Sequence, residues 1–246
     1  MPRLNFASKG EGQAIIFVHG LGESLESWVE QIEHFGAEGY KAIALDLRGH
    51  GSSEAGEARI EMEGFASDLF EVMRQLSVER AHFCGLSMGG LVVLEAYKNK
   101  PEAFLSMILV STLPQYPPAQ TQALEKMSMK DLGEQLANFA VGPTASTELK
   151  KEVAKVISST NKTAYVQSAE TACAQDYTPL LPSIKVPVLI ISGELDYVAP
   201  PEAAKFMQKR IPDSKVMVVR QARHLPNREY PKEFDRLLDE FLKTVG

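Results

Sequence analysis

The sequence predicts an α/β fold in which a mostly parallel central sheet is flanked by helices. Two observations carry this prediction. Six short apolar runs, each typical of a buried strand, are separated by stretches long enough for helices, and several of those stretches repeat apolar residues at helical spacing. A third observation, a long stretch without a convincing strand pattern, predicts that a helical segment is inserted in this arrangement.

The predicted strands are runs of apolar and β-branched residues, as is typical of parallel strands that are buried on both faces. They lie at residues 15–18, 42–45, 81–84, 107–110, 188–191 and 216–219. Helical spacing is seen in Leu25, Trp28, Val29, Ile32 and Phe35, and again within residues 65–76 and 234–242. The last stretch follows Pro231, which suits the first position of a helix. We expect the apolar faces of these helices to lie in the core.

The stretch without strands runs from residue 114 to residue 182. Its apolar residues, including Leu124, Leu132 and Phe139, have the spacing of short amphipathic helices. The sequence therefore predicts a core made of residues 1–113 and 183–246, with a helical cap at 114–182 inserted in it. A helical insertion that only stabilises the edge of the core is the alternative.

Composition limits the classes of partner that the protein can have. The net charge of −6 argues against nucleic acid and against an anionic membrane surface. The N-terminal segment carries Arg3, Lys9 and Glu11 and no apolar run, unlike a secretory signal, and no stretch approaches the roughly 18 apolar residues of a membrane span. We therefore expect a cytoplasmic protein. The only cysteines, Cys84 and Cys173, support neither a disulfide framework nor a cysteine-rich metal site.

The most informative motif is a Gly-x-Ser-x-Gly sequence centred on Ser87, between a predicted strand and a helical pattern. A turn this sharp needs Gly85 and Gly89, because a Cβ at either position would collide with neighbouring backbone. The turn raises the Ser87 hydroxyl above the sheet. It also leaves the Met88 N–H unpaired at the start of a helix, where negative charge is stabilised. The motif predicts a nucleophile and one oxyanion donor; a glycine-rich turn whose serine caps a helix is the alternative.

A serine nucleophile needs a histidine base and a carboxylate that orients the histidine. Of the five histidines only His224 follows Ser87 in the chain, and it comes shortly after a predicted strand. A loop at the carboxyl end of that strand would place it correctly; a surface histidine is the alternative. Asp196 follows another predicted strand and is the candidate acid, with Glu194 as the rival.

A second oxyanion donor is expected from the loop that follows the first predicted strand, His19-Gly20-Leu21-Gly22. The backbone N–H of Leu21 is the best placed donor in this loop, and it would converge with that of Met88 on one oxygen. We expect His19 to hold the loop by hydrogen bonds and not to take part in proton transfer.

The same loop imitates a dinucleotide-binding fingerprint, because its glycines follow a strand and Asp46 ends the next strand. The third glycine is missing, since Leu25 occupies its place, and Glu23 would set a negative charge beside the pyrophosphate. We therefore expect no nucleotide cofactor. Asp46, Arg48 and His50 are better interpreted as residues that brace the loops at this edge of the sheet.

Five motifs together resemble the α/β-hydrolase superfamily, and the resemblance extends over nearly the whole chain. They are His19 to Gly22, Asp46 to Ser53, Gly85 to Gly90, Gly193 to Asp196, and His224 to Asn227. The chain order of serine, acid and histidine is also that of this superfamily. Within it, the short middle segment and residues 165–181 look most similar to small carboxylesterases and 3-oxoadipate enol-lactonases.

This resemblance implies a role for each candidate residue: Ser87 as nucleophile, Asp196 as acid, His224 as base, and the Leu21 and Met88 amides as oxyanion hole. It also implies that the inserted segment roofs the active site. One departure concerns the residues before the histidine, which are usually glycines in similar proteins and here are Gln221, Ala222 and Arg223. We expect the conformation of this loop to differ accordingly.

The function implied is that of a serine hydrolase that cleaves a carboxylic ester through an acyl-enzyme intermediate, with water and without a cofactor or metal. No arginine lies between Arg80 and Arg210, and the lysines of the cap fit a solvated helix face, which favours a neutral ester with a small to medium acyl group. An enol-lactonase or C–C bond hydrolase acting on an anionic substrate is the alternative, for which Arg223 and Arg228 could reach the anion. A non-catalytic homologue that binds a ligand or a signal is a third hypothesis.

Overall fold

The computed structural model describes residues 2–245, so Met1 and Gly246, the two ends of the predicted core, lie outside the described residues. The described chain contains a seven-stranded sheet. Its strands are β1 (Phe6–Lys9), β2 (Ala14–Val18), β3 (Lys41–Leu45), β4 (Ala81–Leu86), β5 (Phe104–Val110), β6 (Val188–Gly193) and β7 (Ser214–Val219).

The strand order is β1-β3-β2-β4-β5-β6-β7. All neighbouring strands pair in parallel except β1, which runs antiparallel to β3. The predicted parallel sheet is therefore confirmed, and each of the six predicted runs lies within a strand. The sequence did not predict β1, because this edge strand is half exposed and lacks a continuous apolar run.

The α-helices within residues 2–245 lie between these strands or, for the last two, after β7. They are α1 (Val29–Ala37), α2 (Met62–Gln75), α3 (Met88–Asn99), α4 (Thr121–Lys126), α5 (Met129–Ala140), α6 (Thr147–Ser159), α7 (Lys162–Cys173), α8 (Pro201–Gln208), α9 (Pro226–Glu229) and α10 (Pro231–Val245). None of them has the length and apolar composition that crossing a bilayer requires.

The core lies on both faces of the sheet, because successive residues of a strand point to opposite sides. On one face Ile16 of β2 packs in a buried cluster with side chains of α2, α3 and α8. On the other face Phe17 joins a cluster with Trp28 and with side chains of α1 and α10. The sheet is therefore covered on both sides, and its loops are left to form a site at the strand ends.

Two residues of the predicted core are exposed: Val218, on the edge strand β7, and Val29. Val29 has 47% of its surface accessible, whereas Trp28 beside it is fully buried. The reason is local: Leu25–Trp28 forms a 3₁₀ turn, and α1 begins only at Val29. The buried face of α1 therefore follows Trp28 and Ile32, and Val29 lies one position around the helix from it.

Helices α4 to α7 lie between β5 and β6, inside the segment predicted as a cap. Within this part of the described chain, the one β contact is an isolated bridge between Gln115 and Asp176. Helices α5 and α6 pack against each other, and Val153 and Ile157 of α6 join the same buried cluster as Leu86 of β4. These helices thus lie against the carboxyl end of β4, while the limits 114–182 stay a prediction.

Candidate active site

Ser87 occupies a sharp turn between the end of β4 and the start of α3. Its backbone has φ 53° and ψ −117°, a conformation that residues other than glycine rarely adopt. The flanking glycines are needed because of close backbone packing. A Cβ at Gly85 would meet the carbonyl oxygen of Gly89, and a Cβ at Gly89 would meet that of Val18 in β2.

Neighbouring backbone fixes the strained turn in place. The Ser87 N–H donates to the carbonyl of Val110 at 2.9 Å, and the Thr112 hydroxyl donates to the Ser87 carbonyl at 2.7 Å. The Ser87 hydroxyl itself lies 3.4 Å from the hydroxyl of Tyr116. Burial raises the pKa of Tyr116, so its phenol is neutral. Tyr116 carries no sequence signal, since it lies in an irregular loop after β5.

His224 and Asp196 form a direct pair at the ends of β7 and β6. The Nδ1 atom of His224 lies 2.9 Å from Oδ2 of Asp196, which is 3% exposed. The other carboxylate oxygen accepts the N–H groups of Val198 and Ala199. Burial raises the pKa of Asp196, but the hydrogen bond and charge of His224, together with these two amides, outweigh burial and lower the pKa. A buried, ionised carboxylate thus orients the imidazole.

The rival acid has another partner. Oε2 of Glu194 accepts the backbone N–H of Gln221 at 2.9 Å. Glu194 therefore supports the loop that leads to His224, whereas Asp196 contacts the imidazole itself. Of the two carboxylates that the sequence offered, the structure places Asp196 at the histidine.

The structure brings Ser87 and His224 to one cavity, but among residues 2–245 no hydrogen bond joins the two side chains. The serine hydroxyl contacts Tyr116 instead. Catalytic hydrogen bonds are often long in structures without substrate and tighten when substrate binds.

The two amides predicted as oxyanion donors lie on either side of this serine in the fold. Leu21 belongs to the loop after β2, and Met88 is the first residue of α3. Within the described chain, neither N–H donates to another protein group. The loop after β2 lies close to the nucleophile, since a Cβ built on Gly20 would be 3.4 Å from Cβ of Ser87.

Hydrogen bonds from His19 hold this loop, as the sequence predicts. Its Nε2 atom accepts the Leu47 N–H at 3.0 Å, so the proton is on Nδ1, which donates to the Gly20 carbonyl at 2.7 Å. Burial lowers the pKa of His19 to about 4, and it lowers that of the neighbouring His50 to about 3. Both rings are therefore neutral at neutral pH, and their centroids lie 5.2 Å apart.

Asp46 and Arg48 also have the bracing role predicted for them. Oδ1 of Asp46 accepts the Leu25 N–H at 2.7 Å, which connects the loops after β2 and β3. The Arg48 guanidinium donates to both oxygens of the buried Asp68 at 2.6 and 2.7 Å. These contacts fix the loops without occupying the cavity.

A carboxylate that the sequence did not single out supports the histidine loop. Oε1 of Glu229 accepts the N–H groups of Arg223 and Leu225, the two neighbours of His224, at 3.0 and 3.2 Å. Its Oε2 accepts the N–H of Gly142, just after α5, at 2.7 Å. Burial raises the pKa of Glu229, and these amides counteract the effect. Glu229 thus connects the predicted cap to the histidine loop.

The departure before the histidine has a local consequence. Gln221 has φ 62°, in the region that favours glycine. Arg223, two residues later, uses its guanidinium as a donor to the carbonyls of Asn138 and Val141, where α5 ends. The loop without glycines therefore contains one strained residue and contacts the end of α5 through Arg223. The His224 N–H also donates to the carbonyl of Ala140, the last residue of α5.

Ser87 and His224 line a cavity of about 240 Å³. Helices α5 and α6 contribute apolar side chains to its wall, and in the described chain no lysine or arginine lines it. The lining residues are Gly20, Leu21, Glu23, Leu86, Ser87, Tyr116, Leu136, Phe139, Ala140, Val153, Ile157, Tyr165, Val198, His224 and Leu225. The cavity is suited to an apolar ligand portion with its polar group next to Ser87.

Comparison with known proteins extends along almost the full chain. The model of the family described as serine aminopeptidase, S33, matches residues 11–230. The chain is 28% identical to 3-oxoadipate enol-lactonase 2 of Acinetobacter baylyi, over 99% of this chain and 94% of that protein.

Solved structures agree. A thermophilic esterase from Thermogutta terrifontis, with malate bound, has a TM-score of 0.93 at 26% identity, covering 99% of this chain and 94% of its own. The enol-lactonase from Burkholderia xenovorans LB400 has a TM-score of 0.92 at 26% identity, covering 98% and 97%.

Proposed function

Because this chain belongs to the serine aminopeptidase S33 family of α/β-hydrolases, we propose that it hydrolyses a carboxylic ester with Ser87 as nucleophile. His224 is the proposed base and Asp196 the acid that orients it. The observation that carries the proposal is the 2.9 Å contact between the buried Asp196 and His224, which lines the same cavity as Ser87. The esterase and enol-lactonases among its relatives support the same reaction class.

In the proposed mechanism, Nε2 of His224 removes the proton from the Ser87 hydroxyl as the serine oxygen attacks the ester carbonyl. The carbonyl oxygen becomes an oxyanion, which accepts hydrogen bonds from the Leu21 and Met88 amides. His224 then donates the proton to the departing alcohol. In the second half, His224 removes a proton from water, and the resulting hydroxide oxygen attacks the carbonyl of the acyl-enzyme. The bond to the Ser87 oxygen then breaks, His224 returns the proton to that oxygen, and the carboxylic acid is released. Asp196 stabilises the imidazolium in both halves.

We also propose that residues 114–182 act as a cap over this site. Leu136 and Phe139 of α5 and Val153 and Ile157 of α6 would form the wall that contacts the acyl group. An apolar wall of this kind limits the access of water to the acyl-enzyme, and its shape limits the length of the acyl chain.

The cavity favours an uncharged ester of small to medium size as substrate. Its volume of about 240 Å³ limits the acyl group, and among the described residues no cation lines it. The enol-lactonase is the second candidate function, because the chain is similar over nearly its full length to 3-oxoadipate enol-lactonase 2. The proposed location is the cytoplasm, as the sequence led us to expect.

A panel of substrates tests the proposal. We expect p-nitrophenyl esters of short and medium chain length to be hydrolysed, and Ser87→Ala to lower kcat by about a million-fold. Ser8→Ala, on the exposed edge strand, is the matched control and should retain activity within about twofold. A preference for a carboxylate-bearing enol-lactone over all neutral esters would favour the second candidate. Full activity of Ser87→Ala would overturn the mechanism.

A further inference from the structure

The wall of the cavity contains an acidic side chain that the proposed mechanism does not use. Glu23 follows the loop that supplies Leu21, is 5% exposed and lines the cavity together with Ser87. Its Oε2 atom is fully buried and, within residues 2–245, has no hydrogen-bond partner. A buried acceptor without a donor costs stability, so an acceptor kept in this position is suited to a ligand that brings the donor.

The unpaired oxygen lies close to the nucleophile. A Cβ built on Gly20 would be 3.4 Å from Cβ of Ser87 and 3.9 Å from Oε2 of Glu23. Both atoms are therefore within 4 Å of one point in the loop after β2. Glu23 therefore lines the cavity on the side of the loop that lies next to Ser87.

The charges around Glu23 decide which donor fits. Burial raises its pKa, and the positive charge of Arg228 is the largest effect that opposes this rise. Arg228 is itself paired with Glu152 at 2.9 Å and is not among the residues that line the cavity. Because Arg228 already places a positive charge near the carboxyl, an additional ammonium group is disfavoured.

We propose that Glu23 determines substrate specificity by accepting a hydrogen bond from a hydroxyl group on the acyl chain, close to the reacting carbonyl. This inference rests on the proposed esterase function. A hydroxyl is small, uncharged and a donor, so it satisfies Oε2 without bringing charge into an apolar cavity. A carboxylate in the same place would set a second acid against Glu23, in a cavity whose described lining includes no lysine or arginine.

Three ethyl esters with four-carbon acyl groups separate these effects: ethyl butyrate, ethyl 3-hydroxybutyrate and monoethyl succinate. With the wild-type protein we expect kcat/KM for the hydroxy ester to exceed that for butyrate about tenfold. We expect kcat/KM for monoethyl succinate to be about 100-fold lower than that for ethyl butyrate. Hydrolysis is followed by titration of the released acid, which needs no chromogenic leaving group.

Two variants then test the residue. Glu23→Leu should abolish the preference for the hydroxy ester, because leucine accepts no hydrogen bond. Glu23→Gln should raise the ratio of kcat/KM for monoethyl succinate to that for ethyl butyrate at least tenfold, because the neutral amide can donate to a carboxylate. Glu63→Gln, which makes the same charge change on the exposed face of α2, is the control and should leave all three ratios unchanged.

The outcomes distinguish this inference from the proposed function. If butyrate is hydrolysed and neither ratio differs between wild type and the Glu23 variants, the inference is wrong and the esterase function stands. A wild-type preference for succinate over butyrate also overturns it. If the folded wild type hydrolyses none of the esters, the proposed function fails and the inference fails with it. If circular dichroism shows that Glu23→Leu does not fold, the role of Glu23 is tested by Glu23→Gln alone. An unchanged ratio of kcat/KM for monoethyl succinate to that for ethyl butyrate then overturns the inference.

Discussion

The backbone N–H of Gly142 donates to Oε2 of Glu229 at 2.7 Å, and this contact connects the end of α5 to the loop that carries His224. The second oxygen of the same carboxylate accepts the N–H groups on both sides of the histidine. One half-buried carboxylate therefore joins the proposed cap to the proposed base. The position of the imidazole depends on a residue that touches neither substrate nor serine.

Replacement of Glu229 tests this connection. Glu229→Ala leaves three backbone donors without their acceptor, so we expect kcat to fall roughly 10- to 100-fold, with a smaller change in KM, because the base is misplaced. Glu229→Gln should recover part of kcat, since its carbonyl oxygen can still accept. Glu202→Ala, on an exposed position of α8, is the control. Equal loss of kcat in the alanine and glutamine variants would argue for a general loss of structure.

The choice of acid can be tested with two amide substitutions. Asp196→Asn should lower kcat about 10,000-fold, because asparagine cannot hold His224 in the tautomer that accepts the serine proton. Glu194→Gln should retain activity within about threefold, since Glu194 accepts a backbone N–H and does not reach the imidazole. Steady-state rates with one p-nitrophenyl ester are sufficient. The reverse pattern would make Glu194 the acid.

Phe139 allows the role of the inserted helices to be measured. It is 48% exposed and also lines the cavity, so its removal should affect substrate more than stability. We expect Phe139→Ala to raise KM about tenfold for a medium-chain ester and about twofold for an acetate, because only the longer chain reaches α5. Phe206→Ala, which removes a similarly exposed ring from α8, should change neither value. Equal effects on both esters would contradict the proposed acyl contact.

The buried carboxyl of Glu23 should make stability depend on pH. Its pKa is raised in the folded protein from 4.5, so the folded state binds more protons than the unfolded state above that value. Stability is therefore lost as pH rises through the folded pKa. Glu23→Gln does not titrate, so its Tm should exceed that of the wild type by about 2 °C or more at neutral pH, and the difference should shrink towards pH 4.5. A difference independent of pH, measured by thermal melts, would contradict this account.

Local sequence patterns were sufficient for the parallel strands, because a buried strand is a continuous apolar run whatever its neighbours are. The edge strand β1 was missed since its residues are half exposed, and Val29 was misplaced since a 3₁₀ turn shifts the helical face. The first error arises because an edge strand is recognised by its pairing and not by its own residues, and the second arises from a local change of helix type.

In the candidate site, Ser87 and His224 could be found because a motif and its order in the chain mark them. Tyr116 and Glu229 could not, since each acts through a partner distant in sequence: Tyr116 contacts Ser87, and Glu229 contacts Gly142. The sequence indicated of Glu23 only that its negative charge disfavours a nucleotide cofactor. Its burial beside the nucleophile is a property of the folded chain.

The adjacent neutral rings of His19 and His50 make the stability of the folded chain depend on pH. In the folded protein the pKa of His19 is about 4 and that of His50 about 3, so both imidazoles bind protons more readily in the unfolded chain. As the pH falls below the ordinary histidine pKa of 6.5, the free energy of unfolding therefore decreases. The packing that holds the loop after β2 therefore also lowers the stability of the folded chain in acid.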